Sequence, residues 1–337
     1  MIYRAKTEDT VEKRKEGMEK MTEKRYAPEG ARIGTAENTA YTSSLHGLER
    51  AMAQGRILEG IVLMCDCTSM SLRVDLHGII GIIEREEAVY NHDDGEIKDI
   101  AIITRVGKPV CFKVIGIERG EGGVRVRLSR RAAQAECMRN FVLRLRAGDI
   151  IPSKVTHLEP FGAFVDIGCG IVSLLTVDCI SVSRISHPSD RFSPGEQIMA
   201  IVKSIDADSG RVYMTHRELL GTWLENAASF APTQTVSGIV RSIEPYGIFV
   251  ELAPNLAGLA EVREGVSVGD VCAVYIKSIV PERMKIKLVI IDAHAEHAPR
   301  RMRYFVDTDT VRHLSSWRYS PPDCPKYIGT EFDSDPA

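Results

Sequence analysis

Through the middle of the chain, apolar and polar positions alternate in short runs that break at glycines. In the run EPFGAFVDIG, Ala163, Val165 and Ile167 form one face while Phe164 and Asp166 form the other. This period of two is the mark of a strand with one buried side. The same alternation predicts three units of five strands each, so the chain is a repeat. The first strands are EGIVLM (59–64), SKVTHL (153–158) and SGIVRS (237–242), and the second are MSLRVDL (70–76), EPFGAFVDIG (159–168) and EPYGIFVELA (244–253). Third strands fall at 78–87, 170–177 and 257–262, fourth strands at 107–117, 195–205 and 269–279, and closing strands at 124–129, 211–215 and 285–289. Five short strands with glycine-marked turns predict a small closed barrel. The third unit is eleven residues shorter between its second and fourth strands, a change confined to a connection.

The spacing of aromatic residues is odd. Phe161 and Phe164, like Tyr246 and Phe249, are three apart, so an undistorted strand would send them to opposite faces. Gly162 and Gly247 stand between the members of each pair, and a bulge there would turn both rings outward. A single FxxF pair is more often core than surface. Its recurrence 85 residues later favours an exposed stacking platform.

Helical periodicity separates the units. Residues 130–146 carry Ala133, Cys137, Phe141 and Leu145 along one stripe with an arginine-rich back, a pattern more typical of a solvated face than of a phosphate track. Residues 216–230, HRELLGTWLENAASF, predict a second linker helix, within a linker drawn at 217–232, with Leu220, Trp223, Leu224 and Ala227 on one side. The expected organisation is a flexible extension over 1–50 with a short helix near 46–54, barrels over 51–129, 147–216 and 233–292, and a proline-broken tail over 293–337 that either docks or stays loose. The fold class is therefore mainly β: three tandem five-stranded barrels joined by short helices, with flexible extensions at both ends.

Composition adds little until it is mapped along the chain. The formal net charge is −3, yet residues 101–146 hold eleven Lys and Arg against three acids, and 75–99 hold eight acids against two bases. Such segregation would let one face meet a polyanion. Eight cysteines without a secretory leader read as reduced thiols, and the lack of a long apolar run predicts no membrane segment and a cytoplasmic protein.

Lys154-Val155, Pro160-Phe161-Gly162-Ala163-Phe164-Val165, and then Gly195, Ile201-Val202-Lys203-Ser204-Ile205-Asp206 and Gly210-Arg211, resemble the S-one (S1) RNA-binding domain. That domain is the repeated module of the largest protein of the bacterial small ribosomal subunit. The resemblance covers roughly residues 55–291 and is strongest in the second unit; GIIEREEAV, KPVCFKV and LSRRAAQ in the first are similar to the first domain of short, Gram-positive-type relatives. It implies OB-fold barrels that hold single-stranded RNA across one face. In the second unit the implied contacts are Phe161, Phe164, Asp206 and Arg211, with Thr176 at a position often occupied by histidine. In the third unit they are Tyr246, Phe249 and Lys285, while Val280 and Glu261 replace the aspartate and histidine. In the first unit Met70 and Arg73 stand at the ring positions, with Arg125 near the arginine position. The second unit is thus expected to be the principal site.

The residues themselves suit that chemistry. Bases stack on flat rings and cations track phosphates; Lys154, Lys203, Arg211 and Arg217 could supply the cations. Asp206 would either hold Arg211 or accept from a ribose or base. No metal or cofactor is expected: Cys65-Asp66-Cys67 has neither zinc-knuckle spacing nor a second pair, and His294 and His297 lack a third ligand. No catalytic motif is found, so an enzyme is not expected. The expected partners are single-stranded mRNA and, through the resemblance, the small ribosomal subunit, for a monomeric protein assisting translation initiation. The alternatives are a non-ribosomal RNA-binding regulator of translation or turnover, and a protein-binding scaffold.

Overall fold

The computed structural model describes residues 25–90, 97–120, 123–206, 210–295 and 302–332. Two compact units divide the chain: residues 1–145 with 152–154 and 166–172, and residues 146–151 with 155–165 and 173–337.

In the first unit, two short helices precede the first barrel. Helix α1 (Ala36–Thr42) is capped by Thr35, whose hydroxyl accepts from Asn38 N–H, and α2 (Leu45–Gln54) by Ser44, which accepts from Gly47 N–H. Each cap satisfies one of the donors a helix start leaves open. Gly55 ends α2 in the left-handed conformation, at φ 59°. Strands β1 (Leu58–Cys65), β2 (Leu72–Leu76) and β3 (Ile79–Ile83) follow, then α3 (Asp99–Ile103), β4 (Pro109–Gly120) and β5 (Gly123–Ser129). They close in the order β1-β2-β3-β5-β4, with β3 and β5 parallel. Val62, Leu72, Val74, Leu76, Val110, Phe112, Val126 and Leu128 fill the interior, and Leu48 and Ala51 of α2 join that core. Helix α4 (Arg130–Asn140) is capped by Ser129 and buries Ala133 and Cys137 as its stripe predicts.

The first extension departs from the expected flexibility over its described part. Glu29 receives Arg130 through Nε at 2.7 Å and Nη2 at 3.1 Å, and its own N–H donates to Asp166 at 2.7 Å. Arg25, Tyr26 and Lys113 all engage Glu136. Asp166, expected on the outward face of its strand, is therefore buried, accepting also from Gly168 and Gly170 N–H at 2.8 and 3.0 Å. Burial and the neighbouring Glu29 raise its carboxyl to about 7. Residues 1–24 lie outside the described residues.

The second barrel comprises β6 (Ile150–Glu159), β7 (Gly162–Asp166), β8 (Val172–Thr176), β9 (Gln197–Ile205) and β10 (Val212–Thr215). Its order, β10-β8-β7-β6-β9, repeats the first, and Ala163, Val165 and Ile167 point inward as predicted. The linker expected to be one helix is a 3-10 turn over 217–220 and a helix, α5 (Trp223–Ala227). Gly221, at φ 81°, breaks it, and Thr222 restarts it with a capping box to Glu225.

Strands β11 (Thr235–Glu244), β12 (Gly247–Ala253), β13 (Leu256–Ala260), β14 (Val271–Val280) and β15 (Lys285–His294) close the third barrel in the same order. The eleven-residue shortening falls between β13 and β14, and the five strands survive it. The tail docks. Leu314 N–H bonds Gly148 O, Trp223 N–H bonds Tyr319 O, and β16 (Ser316–Arg318) pairs with β17 (Gly329–Glu331). Trp317 and Tyr319 enter the core of the third barrel. No helix among the described residues is long and apolar enough to cross a membrane.

Candidate nucleic-acid interface

The paired rings are exposed, but by a different device from a bulge at the glycine. Phe161 and Tyr246 lie in the two-residue turns before β7 and β12, outside the strands and so free of their alternation. Pairing is regular through Glu244↔Gly247, Ile243↔Ile248 and Ser242↔Phe249; the bulge sits on β11 at Arg241. A turn residue and the second outward strand residue thus share a face. Phe161 is 54% exposed and Tyr246 69%, while Phe164 and Phe249 are half-buried. The rings of each pair meet edge to face, with centroids 5.9 Å apart at 90° in the second barrel and 6.2 Å at 89° in the third. That is a favoured aromatic geometry.

The glycines have another purpose. A Cβ on Gly162 would lie 2.5 Å from the Leu175 carbonyl oxygen, and one on Gly247 2.6 Å from that of Ala260. Their absence lets the third strand close against the second directly beneath the rings.

In the second barrel the row of rings is longer than the sequence suggests. His157 on β6 stacks on Phe164 at 6.4 Å and 24°, held by Glu159 at 2.7 Å. Strict alternation on β6 would group it with the buried Ser153 and Val155, so no sequence signal marks it. Phe161 O accepts from Val177 N–H, which fixes the turn against the end of β8. There Lys203 Nζ lies 3.2 Å from Cys179 Sγ. The Thr176 hydroxyl, and then the charge of Lys203, hold the Asp178 carboxyl below its ordinary range. Asp206 and Arg211 close the β9–β10 hairpin through their backbones, Asp206 N–H to Arg211 O at 2.8 Å. Lys154 is engaged elsewhere: it belongs to the first unit, where its ammonium donates to Glu29 O at 2.8 Å.

The third barrel holds the larger feature. A groove of about 950 Å³ runs over its second and third strands, lined by Tyr246, Phe249 and Leu259. Its cations are Arg184, Arg241, Lys277, Arg283, Lys285, Lys287 and Lys326, against two carboxylates, Glu244 and Glu261. Arg241 is committed to Glu251 at 2.6 Å. Among the described residues, Lys277, Lys285 and Lys287 have no carboxylate within ion-pair distance. Arg283 and Met284 come from the β14–β15 loop, and Tyr319, Lys326 and Ile328 from the tail.

The first barrel offers no rings at this place, and among the described residues Arg73 is an exposed cation there with no carboxylate within ion-pair distance. Met70 takes the turn position at φ 54°, and Arg73 faces outward on β2. Arg125 is paired with Glu84 at 2.5 Å, Arg127 with Glu118, Arg131 with Glu87 and Arg119 with Glu49. Much of the basic stretch 101–146 is thus paired in space, mostly with acids that lie outside it in sequence. Cys65 and Cys67 are free thiols, and no three His, Cys, Asp or Glu side chains among the described residues converge as metal ligands. His297 lies outside those residues.

The strand order 1-2-3-5-4, closed, is that of the OB-fold. Residues 144–217, the second barrel with its flanks, match the family model of the S1 RNA binding domain. This stretch belongs to the S1 RNA-binding domain family. Over 70% of its length the chain is 28% identical to small ribosomal subunit protein bS1 of Rhizobium meliloti, covering 40% of that protein. Over 47% it is 32% identical to the bS1 homolog of Bacillus subtilis, covering 42% of it. The chain thus spans about two fifths of the length of these curated relatives. A solved multidomain protein with nucleic acid binding domains from Streptococcus pneumoniae aligns over 70% of this chain and 73% of its own, at 15% identity and a TM-score of 0.24.

Proposed function

We propose that this chain binds single-stranded RNA, with the groove of the third barrel as the principal site and the His157–Phe164–Phe161 row as a second platform. The observation that carries the proposal is the edge-to-face ring pair, built at the same place in two barrels. In OB-folds the face of strands two and three, with the loops joining strands one to two and four to five, accepts oligonucleotides. Tyr246 stands in the first of those loops, Arg283 in the second, and Phe249 and Leu259 on the face between. Bases stack on the rings, each worth about 1–3 kcal/mol, and the lysines follow the phosphates. One such barrel binds weakly. Two on one chain gain by effective concentration.

The assignment shifts the main site from the second barrel to the third. Lys154 is spent on Glu29 and the second barrel has fewer unpaired cations near its rings, whereas the third concentrates them in a concave surface. The first barrel serves as scaffold. Similarity to small ribosomal subunit protein bS1 supports that subunit as the setting, and messenger RNA is the single-stranded ligand proposed there. Capture of unpaired stretches would then shift structured leaders toward the open form by mass action. Fluorescence anisotropy with a labelled oligo-A is expected to give saturable binding at low salt that weakens as salt rises; no binding at low salt would overturn the reading. Sucrose-gradient sedimentation with small subunits tests the setting: co-migration supports it, and free protein favours a non-ribosomal RNA-binding regulator.

A further inference from the structure

Two carboxylates in a groove built for a polyanion call for an explanation. Glu244 on β11 pairs with Gly247 on β12, and Ile248 pairs with Ala260, the last residue of β13; Glu261 follows Ala260 directly in the chain. The Leu259 side chain and the Ala260 carbonyl fill the place beside Gly247 where a side chain would stand. Both carboxylates line the groove together with Tyr246, Phe249 and Leu259. Among the described residues neither carboxylate has a cation within ion-pair distance, despite the lysines lining the same groove.

The second barrel has the same frame with different contents. Glu159 corresponds to Glu244 and is taken by His157, and Thr176 stands where Glu261 would be, turned to Asp178. The third barrel alone of these two therefore presents unpaired acceptors beside its rings. A carboxylate only accepts, and it repels both phosphates and base carbonyls. Guanine offers two adjacent donors, N1–H and the N2 amino group, to a single carboxylate. Uracil offers one N–H flanked by two carbonyl oxygens.

We propose that the third-barrel groove selects purine-rich RNA containing guanine and disfavours uridine, with Glu261 accepting from the Watson–Crick edge of a guanine stacked against Tyr246 and Phe249. Glu244, at the turn end of β11, is the second acceptor in the groove. This rests on the RNA-binding reading of the same groove and adds base preference to it.

The test uses the full chain carrying Phe161→Ala and Phe164→Ala, which leaves the third barrel as the reader, with labelled ten-nucleotide (AG)5 and oligo-U as probes. Affinity for (AG)5 should exceed that for oligo-U by on the order of tenfold, the size of one hydrogen bond to a charged group. Glu261→Gln should bring the two affinities close together, mainly by improving oligo-U, because its amide can donate to a uracil carbonyl. Glu244→Gln should move the ratio less. Equal affinities before substitution, or a ratio that Glu261→Gln leaves unchanged, would overturn base selection. If Tyr246→Ala still weakens both probes, RNA binding itself stands. Absence of binding to either probe would overturn the RNA reading and base selection with it.

Discussion

Replacing Tyr246 with alanine separates recognition from folding. The ring is 69% exposed and touches Phe249 only edge to face, so its packing contribution is small: an aromatic pair is worth about 0.5–1.5 kcal/mol, and exposure lowers that. Gly247 and Phe249, which set the close approach of β12 to β13, remain in place. The expected loss of stability is below about 1 kcal/mol, a shift of a few degrees in melting temperature at most. Binding should respond far more. A ring that stacks one base contributes about 1–3 kcal/mol, which corresponds to a loss of about 5- to 150-fold in affinity. Anisotropy with a ten-nucleotide probe measures that loss, and a thermal melt of the same sample controls for folding. Met70→Ala, at the corresponding turn of the first barrel, should leave affinity within about twofold, because no ring accompanies it on which a base could stack. Losses of similar size at Tyr246 and Met70, or a Tyr246 variant that binds like the parent, would refute the reasoning.

Two further predictions concern the frame. His216 is buried; its Nδ1–H donates to Ile180 O at 3.1 Å, and the Tyr304 hydroxyl lies 3.2 Å from Nε2. Desolvation lowers its pKa to about 4. The unfolded chain then binds more protons between pH 4 and 6.5, so stability should rise with pH across that window and be lost on acidification, by up to about 3 kcal/mol. Urea titrations at pH 7 and pH 4.5 check this, and a flat profile would contradict it. Glu251 receives Arg191 and Arg241 on one oxygen, both at 2.6 Å, and is fully buried. Glu251→Gln leaves Arg191 without its paired carboxylate, while Arg241 keeps Asp190 at 3.2 Å, and should cost about 3–5 kcal/mol, read as an earlier melting transition.

The barrels were legible because strand alternation and glycine turns are local properties. Ala163, Val165 and Ile167 could only be an inward set, and they are. The exposure of the ring pairs was also legible, though its cause was not. Alternation stops at the turn that holds Phe161 and Tyr246, and Gly162 and Gly247 admit a neighbouring strand rather than forming bulges. What sequence could not supply is every charge balance made at long range. Arg130 meets Glu29, and Arg125 meets Glu84, across separations that turn an apparent basic face into paired surface. The groove escaped for the same reason, since Lys326 and Tyr319 reach it from a tail that lacks periodicity. His157 had no motif to mark it.

The most direct measurement is ultraviolet crosslinking of bound single-stranded RNA to the full chain, with the attached residues mapped by mass spectrometry. The account predicts adducts at Tyr246 and Phe249, fewer at His157, Phe161 and Phe164, and none on the strands of the first barrel. Saturable binding with adducts confined to the first barrel, or absent from both ring pairs, would contradict it.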